Sequence, residues 1–127
     1  MGEPTFSDVL RERRSHRDFR DATIPRKVLD RLVWAAQGTT SEDGKRTAPS
    51  AHALHPLKLT LTAGRIEGLE PAIYDVAADP KTKLSLAVAG DQRQALEAAA
   101  LDDQPWVARA AGILEHRAIN LQHIRRL

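Results

Sequence analysis

The sequence predicts an α+β fold with helices before and after a small group of strands. Apolar residues recur at helical spacing from Val28 to Ala36, strict alternation of apolar and polar residues begins at Leu57, and helical spacing returns after Asp91. No internal repeat is visible in the 127 residues, so the order of helix, helix, loop, strands and helix indicates one domain with a modest core.

Two helices are predicted before the strands. Thr5 or Ser7 can cap the first of them, because a hydroxyl at this position accepts a hydrogen bond from a free N–H of the first turn. The apolar positions of this helix are Phe6, Val9 and Leu10. Thr23 is the predicted N-cap of the second helix, Pro25 suits its first turn, and Gly38 is its predicted C-cap.

The centre of the chain predicts strands, and its end predicts helices. Residues 57–63 alternate as a half-buried strand does, residues 72–76 form a short second strand, and residues 84–86 form a third. Asp91 is the predicted cap of a further helix. Residues 113–127 are basic and apolar at helical spacing, so a basic helical tail is predicted there.

Composition and charge narrow the classes of function. The formal net charge of +2 is too small to indicate a nucleic-acid-binding protein. The chain has no cysteine, which excludes disulfides, thiolate metal sites and a cysteine nucleophile. Neither an apolar signal-peptide core nor a run of about 20 apolar residues occurs, so we expect a cytoplasmic protein without a membrane span.

The first candidate binding site is the short arginine segment at the exit of the first predicted helix. Its three guanidiniums and one hydroxyl come from Arg13, Arg14, Ser15 and Arg17. Guanidinium groups bind phosphate oxygens in a bidentate way, so this segment suits a phosphate. The alternative is a solvated basic face in which Glu12 and Asp18 are the ion-pair partners.

The second candidate is the polar segment 39–56, which is long for a connection without a function. His52 and His55 can ligate a metal if this stretch is helical, but no third ligand is supplied. Ser50 lies near both histidines, yet proximity in sequence is weak support for a catalytic triad, and no G-x-S-x-G turn occurs. A plain polar loop is the remaining interpretation.

Two further features have structural interpretations. The tail sequence HRAINLQHIRRL, residues 116–127, is typical of a basic amphipathic helix, and we favour a docking or dimer-contact helix over a nucleic-acid-binding one. Trp106 follows a proline, and we interpret it as a core or interface anchor and not as a stacking platform.

Several motifs, taken in their order and spacing, resemble the FMN-dependent nitroreductase superfamily. RRSHRDF, residues 13–19, is similar to the R-R-S-x-R-x-F opening of that superfamily. WAAQGTTSEDGKRTAPSAHALHP, residues 34–56, looks like the SagB-type dehydrogenase branch, which oxidises azolines to azoles in ribosomal peptides. GLEPAIYDV, residues 68–76, and AALDDQPWVARAA, residues 99–111, also look like that branch.

The resemblance implies a nitroreductase-like mixed sheet flanked by helices, and FMN as the cofactor. The arginine segment matches the positions that hold the FMN phosphate and ribityl chain, and the loop before Leu57 matches the segment along the flavin. The implied cofactor-binding residues are Arg13, Arg14, Ser15, Arg17, Pro49, Ser50, Ala51, His52, Ala53 and His55. The implied partners are NAD(P)H, a small-molecule or peptide substrate and a second copy in a homodimer. No catalytic residue and no metal is assigned.

The family domain continues beyond the part that this chain resembles. The resemblance therefore implies an incomplete, N-terminal version of the fold in residues 1–112, followed by a divergent basic helical tail in residues 113–127. The implied function is an FMN-dependent oxidoreductase that transfers hydride between NAD(P)H and a small acceptor or an azoline-type peptide. The alternative is a truncated, non-catalytic family member that acts as a binding or scaffold subunit.

Overall fold

The computed structural model describes residues 2–47, 57–77 and 81–118. The predicted α+β class is confirmed, because four strands form one antiparallel sheet, with two helices before the first strand and two between the third and the fourth. The elements are α1 (Phe6–Glu12), α2 (Arg26–Gln37), β1 (Leu57–Ala63), β2 (Ala72–Ala77), β3 (Lys83–Ala89), α3 (Arg93–Ala99), α4 (Trp106–Arg109) and β4 (Gly112–Ala118).

The sheet has the order β3-β2-β1-β4, so β1 and β2 are its inner strands. The three strands predicted from sequence are confirmed, and the third is longer than predicted. Leu61 of β1 lies opposite Tyr74 of β2 on one side and Leu114 of β4 on the other. A row of large apolar side chains therefore crosses three strands and forms one wall of the core.

The core joins α2 to β1. Leu29 and Val33 are four residues apart on one side of α2 and are 2% and 0% exposed, while Leu61 of β1 is 1% exposed. Ile66, which follows β1, belongs to the same buried cluster. One side of α2 and one side of β1 thus meet in a shared interior, whereas Leu32, another apolar residue of the predicted pattern, is 52% exposed.

α1 is stabilised by its cap and not by burial. Thr5 is the N-cap, as predicted: its hydroxyl accepts a hydrogen bond from the Asp8 N–H at 3.2 Å, and the Asp8 carboxylate accepts one from the Thr5 N–H at 3.0 Å. The hydrogen bonds from the Thr5 backbone and side chain lower the pKa of Asp8. No residue of α1 is buried, and Phe6 is 77% exposed. The apolar side of α1 is therefore open within the described part of the chain.

The start of α2 differs from the prediction, and its end agrees with it. Thr23 is not the N-cap; Pro25 occupies that position without a side-chain hydrogen bond. The reason is that Ile24 is extended and forms a bridge with Ile66, which delays the helix until residue 26. Gly38 is the C-cap, and a Cβ at this position would overlap the Trp34 ring, so the close approach requires a glycine.

Two predictions for the last third of the chain are wrong. Gln92, and not Asp91, is the N-cap of α3. Residues 113–118 belong to a strand and not to a helical tail, because they pair with β1 along its whole length and place Leu114 against the core. The periodicity that predicted the helix came largely from residues 119–127, which lie outside the described residues. Among the described helices, none is long and apolar enough to cross a membrane.

Candidate functional site

The arginine segment, residues 13–20, leaves α1 without forming a helix or a strand. The side chains of Arg13, Arg14, Ser15 and Arg17 are exposed. Within the described ranges, none of these three arginines forms an ion pair, and neither Glu12 nor Asp18 neutralises them. The ion-pair partners that a simple basic face would use are therefore not engaged, and the segment keeps a concentrated positive charge.

The arginines of this segment differ in how much of their hydrogen-bonding capacity is free. Arg14 donates from Nη1 to the carbonyl oxygens of Arg11 and Arg13, at 2.9 and 2.7 Å. No such bond is made by the side chains of Arg13 or Arg17 to any described residue. We therefore expect Arg13 and Arg17 to offer complete guanidinium forks to an anion, and Arg14 to offer part of one.

The end of the arginine segment is held by Arg65, the second residue after β1. Its guanidinium donates to the carbonyl oxygens of Arg20 at 3.4 Å, Ala22 at 3.3 Å and Arg109 at 3.0 Å. An ion pair with Asp21 at 3.5 Å adds little, since that carboxylate is 96% exposed. One side chain thus joins β1, the arginine segment and the end of α4.

A second guanidinium fixes the neighbouring turn. Arg93 lies against Gly64, where a Cβ would overlap it, and its Nη1 donates to the Ala110 carbonyl oxygen at 2.9 Å. Arg93 also pairs with Asp91 at 2.7 Å, and its side chain is only 15% exposed. The hydrogen bond from Arg93 holds the pKa of Asp91 below its usual value, and the same pair raises the pKa of Arg93. Asp91 therefore holds the Arg93 side chain, and its carboxylate also accepts a hydrogen bond from the Arg93 backbone N–H, at the start of α3, at 3.1 Å.

An apolar cavity of about 540 Å³ lies next to the end of the arginine segment. Phe19 and Arg20 of that segment contribute to its wall. The other lining residues are Ala22, Ile24, Leu29, Leu32, Leu61, Ile66, Ala110, Ala111, Gly112 and Leu114. Arg65 and Arg93 hold the backbone of two parts of this wall, near Ala22 and Ala110. Arg20 is the cation of the segment that reaches the cavity wall, so the apolar surface has a positive charge at its edge, as an amphipathic anionic ligand requires.

The second candidate site, the polar segment 39–56, is described by the structure only in residues 39–47. Thr39 and Arg46 form an antiparallel bridge that closes a small turn, and Gly44 has the positive φ of 84° that this turn needs. The Thr47 N–H donates to the Gly38 carbonyl oxygen at 2.9 Å, which ties the turn to the end of α2. This part of the loop is therefore built by its own hydrogen bonds, which the sequence analysis did not predict.

Six of the predicted cofactor-binding residues lie outside the described residues. They are Pro49, Ser50, Ala51, His52, Ala53 and His55. The metal and triad alternatives for His52, His55 and Ser50 fall on the same stretch. Within residues 2–47, 57–77 and 81–118, no three His, Cys, Asp or Glu side chains come together as a metal site would require.

Arg65 and Arg93 are the residues of this region that sequence reasoning missed. Both act through backbone carbonyl oxygens of residues distant in the chain. A lone arginine after a strand or at a helix start carries no sequence signal for such partners. The glycine before Arg65 is a partial signal, because Gly64 leaves the space that Arg93 fills.

Comparison with known proteins identifies the family of this chain. The sequence model of the Nitroreductase family matches residues 10–124, and the chain belongs to that family. The match includes the arginine segment, all four strands and the cavity-lining residues.

Individual relatives agree with this assignment. The chain is 35% identical over 72 residues to "Putative nitroreductase MJ1384" of Methanocaldococcus jannaschii, which is 57% of this chain and 36% of that protein. A crystal structure from Anabaena variabilis, described as a putative nitroreductase, superposes with a TM-score of 0.66 at 20% identity. That superposition covers 92% of this chain and 24% of the other chain, and it supports the fold. The chain therefore spans about a third or less of the length of these relatives.

The residues of the arginine segment fit the phosphate end of FMN, the cofactor that the family generally binds. The donor set consists of guanidiniums without acidic partners among the described residues, which suits a phosphate dianion. The apolar cavity beside it suits an aromatic ring system.

Proposed function

We propose that this chain is an FMN-dependent oxidoreductase of the nitroreductase type, closest to the SagB-type dehydrogenase branch. The observation that carries the proposal is the arginine segment: Arg13 and Arg17 have no acidic partner among the described residues, and the segment is anchored beside an apolar cavity. When bound, FMN would pass hydride from NAD(P)H to a small acceptor, or from an azoline-type peptide, which is oxidised to the azole, to NAD(P)+. The cytoplasmic location expected from the sequence belongs to the same proposal.

The proposed role of the protein's own residues is to bind and orient. Arg13 and Arg17 bind the phosphate, Arg14 contributes the part of its guanidinium that local carbonyl groups leave free, and Ser15 adds a hydroxyl donor. Arg65 holds the carbonyl oxygen of Arg20 at the end of the same segment, so the backbone there is fixed before a ligand binds. No protein acid or base is assigned, because hydride transfer through a flavin does not require one.

The loop before β1 is part of this proposal through the family resemblance. Pro49, Ser50, Ala51, His52, Ala53 and His55 would lie along the flavin. The turn closed by Thr39 and Arg46 supports the beginning of this loop at the end of α2. The backbone of the loop would then supply donors near the ring edge, with the cavity as the apolar wall.

Titration with FMN tests the proposal. Arg13→Ala and Arg17→Ala together should reduce the free energy of FMN binding by about 3–6 kcal/mol, since each hydrogen bond to a charged group contributes roughly 1.5–3 kcal/mol. Arg14→Ala should have a smaller effect than either, because its guanidinium is partly engaged. Arg31→Ala is the matched control, since it removes an exposed cation from α2 and should leave affinity unchanged. Unchanged affinity in both Arg13→Ala and Arg17→Ala would rule out the phosphate assignment.

A homodimer is the proposed assembly. α1 and α2 expose large apolar side chains, with Phe6 77%, Leu10 57%, Leu32 52% and Trp34 52% accessible. Apolar exposure of this extent on two helices indicates a protein contact surface. Light scattering should give the mass of a dimer.

The scaffold alternative is separated from the enzyme by the same two measurements. A protein that forms a stable dimer or heteromeric complex but takes up no FMN would be a non-catalytic binding or scaffold subunit. FMN uptake together with turnover of NADH or NADPH would exclude it. Affinity for DNA or RNA is not part of either proposal.

A further inference from the structure

Trp106 lies against the arginine segment and contacts two of its residues. It is the first residue of α4, and its ring lies beneath the Arg17 guanidinium, whose carbon is 5.9 Å from the ring centroid. The Phe19 ring meets the same indole edge to face, with centroids 6.4 Å apart at an angle of 69°. Two alternate residues of the segment are thus in contact with one side chain of α4.

The contact with Trp106 leaves the N–H donors of Arg17 available to an anion. A guanidinium is planar, and its N–H donors lie in the plane. The guanidinium carbon lies 5.9 Å from the indole centroid, and the Arg17 side chain makes no hydrogen bond to any described residue, so its N–H donors remain available. Arg17 can therefore rest on the indole and still present its fork to an anion.

Trp106 is itself firmly placed. Arg65 donates to the carbonyl oxygens of Arg109, at the end of α4, and of Arg20, three residues after Arg17. The helix that carries the indole and the segment that carries the guanidinium are therefore held by the same side chain. The distance between them does not depend on a bound ligand.

We propose that Trp106 is a positioning residue of the phosphate site: its indole restrains Arg17 in the orientation that binds the phosphate. The inference rests on the proposed function. An arginine side chain loses rotamer freedom when it binds a ligand, and a contact that restrains it beforehand removes part of that cost. Trp106 thus acts through Arg17 and does not contact the phosphate.

The experiment compares FMN with riboflavin, which has the same ring and ribityl chain but no phosphate. The ratio of the two dissociation constants isolates the phosphate contribution, and flavin fluorescence measures both. Trp106→Leu should lower the advantage of FMN over riboflavin about two- to fivefold, the size of an exposed cation–π contact. Trp106→Phe should keep most of that advantage, because a ring remains beneath the guanidinium. Leu86→Ala, at a side chain 63% exposed on the edge strand β3, should leave the ratio unchanged.

The role through Arg17 is tested in the Arg17→Ala background. There, Trp106→Leu should cause no further change in the FMN-to-riboflavin ratio. An equal loss for both flavins, or the same change in ratio with Arg17 absent, would show that Trp106 acts on the fold in general and would overturn the inference while leaving the proposed function intact. A wild-type chain that binds neither flavin would overturn both.

The contact also has a readout that needs no flavin. The Arg17 Nε–H resonance should lie upfield in the wild-type spectrum, because the guanidinium is over the indole face, and it should move downfield in Trp106→Leu. If Trp106→Leu does not fold, Trp106→Phe gives the same comparison with a smaller ring. An Arg17 resonance that does not move in Trp106→Leu, or in Trp106→Phe where the leucine variant does not fold, would overturn the inference.

Discussion

Replacing Gly64 by alanine should destabilise the protein, and removing Arg93 should reverse the sign of that effect. The φ of Gly64 is not in the left-handed region, so alanine can adopt its backbone conformation. The new Cβ would overlap the Arg93 guanidinium, which has to leave its place. That displacement breaks the hydrogen bond from Arg93 to the Ala110 carbonyl oxygen and the pairing with Asp91.

The magnitude follows from those contacts. The hydrogen bond to Ala110 has a charged donor on a mostly buried side chain, and such bonds contribute about 1.5–3 kcal/mol. The ion pair with the half-exposed Asp91 adds at most about 1 kcal/mol. Glycine replacement also restricts the unfolded chain, which stabilises the folded state by about 0.4–1 kcal/mol. The net loss for Gly64→Ala is therefore about 0.5–3.5 kcal/mol.

In the Arg93→Ala background no guanidinium is displaced. Only the effect on the unfolded chain remains, and Gly64→Ala should then stabilise the protein by about 0.4–1 kcal/mol. Urea unfolding of the four chains, followed by far-ultraviolet circular dichroism, gives both values from one double-mutant cycle. If Gly64→Ala destabilises both backgrounds equally, Arg93 does not occupy the space beside Gly64 and the reasoning is refuted.

Three further predictions concern the same framework. Arg65→Met should lower the free energy of unfolding by about 1–3 kcal/mol, because it leaves backbone carbonyl groups unpaired, and should also weaken FMN binding; urea unfolding and FMN titration check the two parts. Asp91 has a lowered pKa in the folded state, so its contribution to stability is present above its unfolded-state pKa and is lost as the pH falls through its folded-state pKa. In thermal melts at decreasing pH, the Tm of Asp91→Asn should therefore fall less steeply than that of the wild type. Leu61→Ala should destabilise by about 2–5 kcal/mol, whereas Leu86→Ala, at a side chain 63% exposed, should change stability by less than about 0.5 kcal/mol; equal effects would contradict the assignment of the core.

The elements that could be predicted from sequence are those specified by neighbouring residues. The Thr5 cap, helix α2 and strand β1 are predicted from local patterns, and each element is confirmed, although Thr62 on the predicted polar side of β1 is buried. β4 is different, because it forms only by pairing with a strand some 50 residues earlier in the chain. Its pairing and the burial of Leu114 prevail over a helical period that continues into residues 119–127.

The residues of the candidate site likewise divide into those that neighbouring residues specify and those that depend on distant parts of the chain. The arginine segment could be predicted because guanidiniums close together in sequence stay close together in space. Trp106 was interpreted as a core or interface anchor, and its contacts with Arg17 and Phe19 agree with an anchoring role. Arg65 and Arg93 could not be predicted, since their acceptors are backbone carbonyl groups, which are the same in every residue type.

The central claim is that the arginine segment binds the phosphate of FMN. The visible absorbance spectrum of the purified protein, recorded together with its mass by light scattering, tests it most directly. We expect flavin absorbance that remains with the protein through gel filtration, or appears on titration with FMN, in a particle of dimer mass. A colourless protein that takes up no FMN on titration would contradict it.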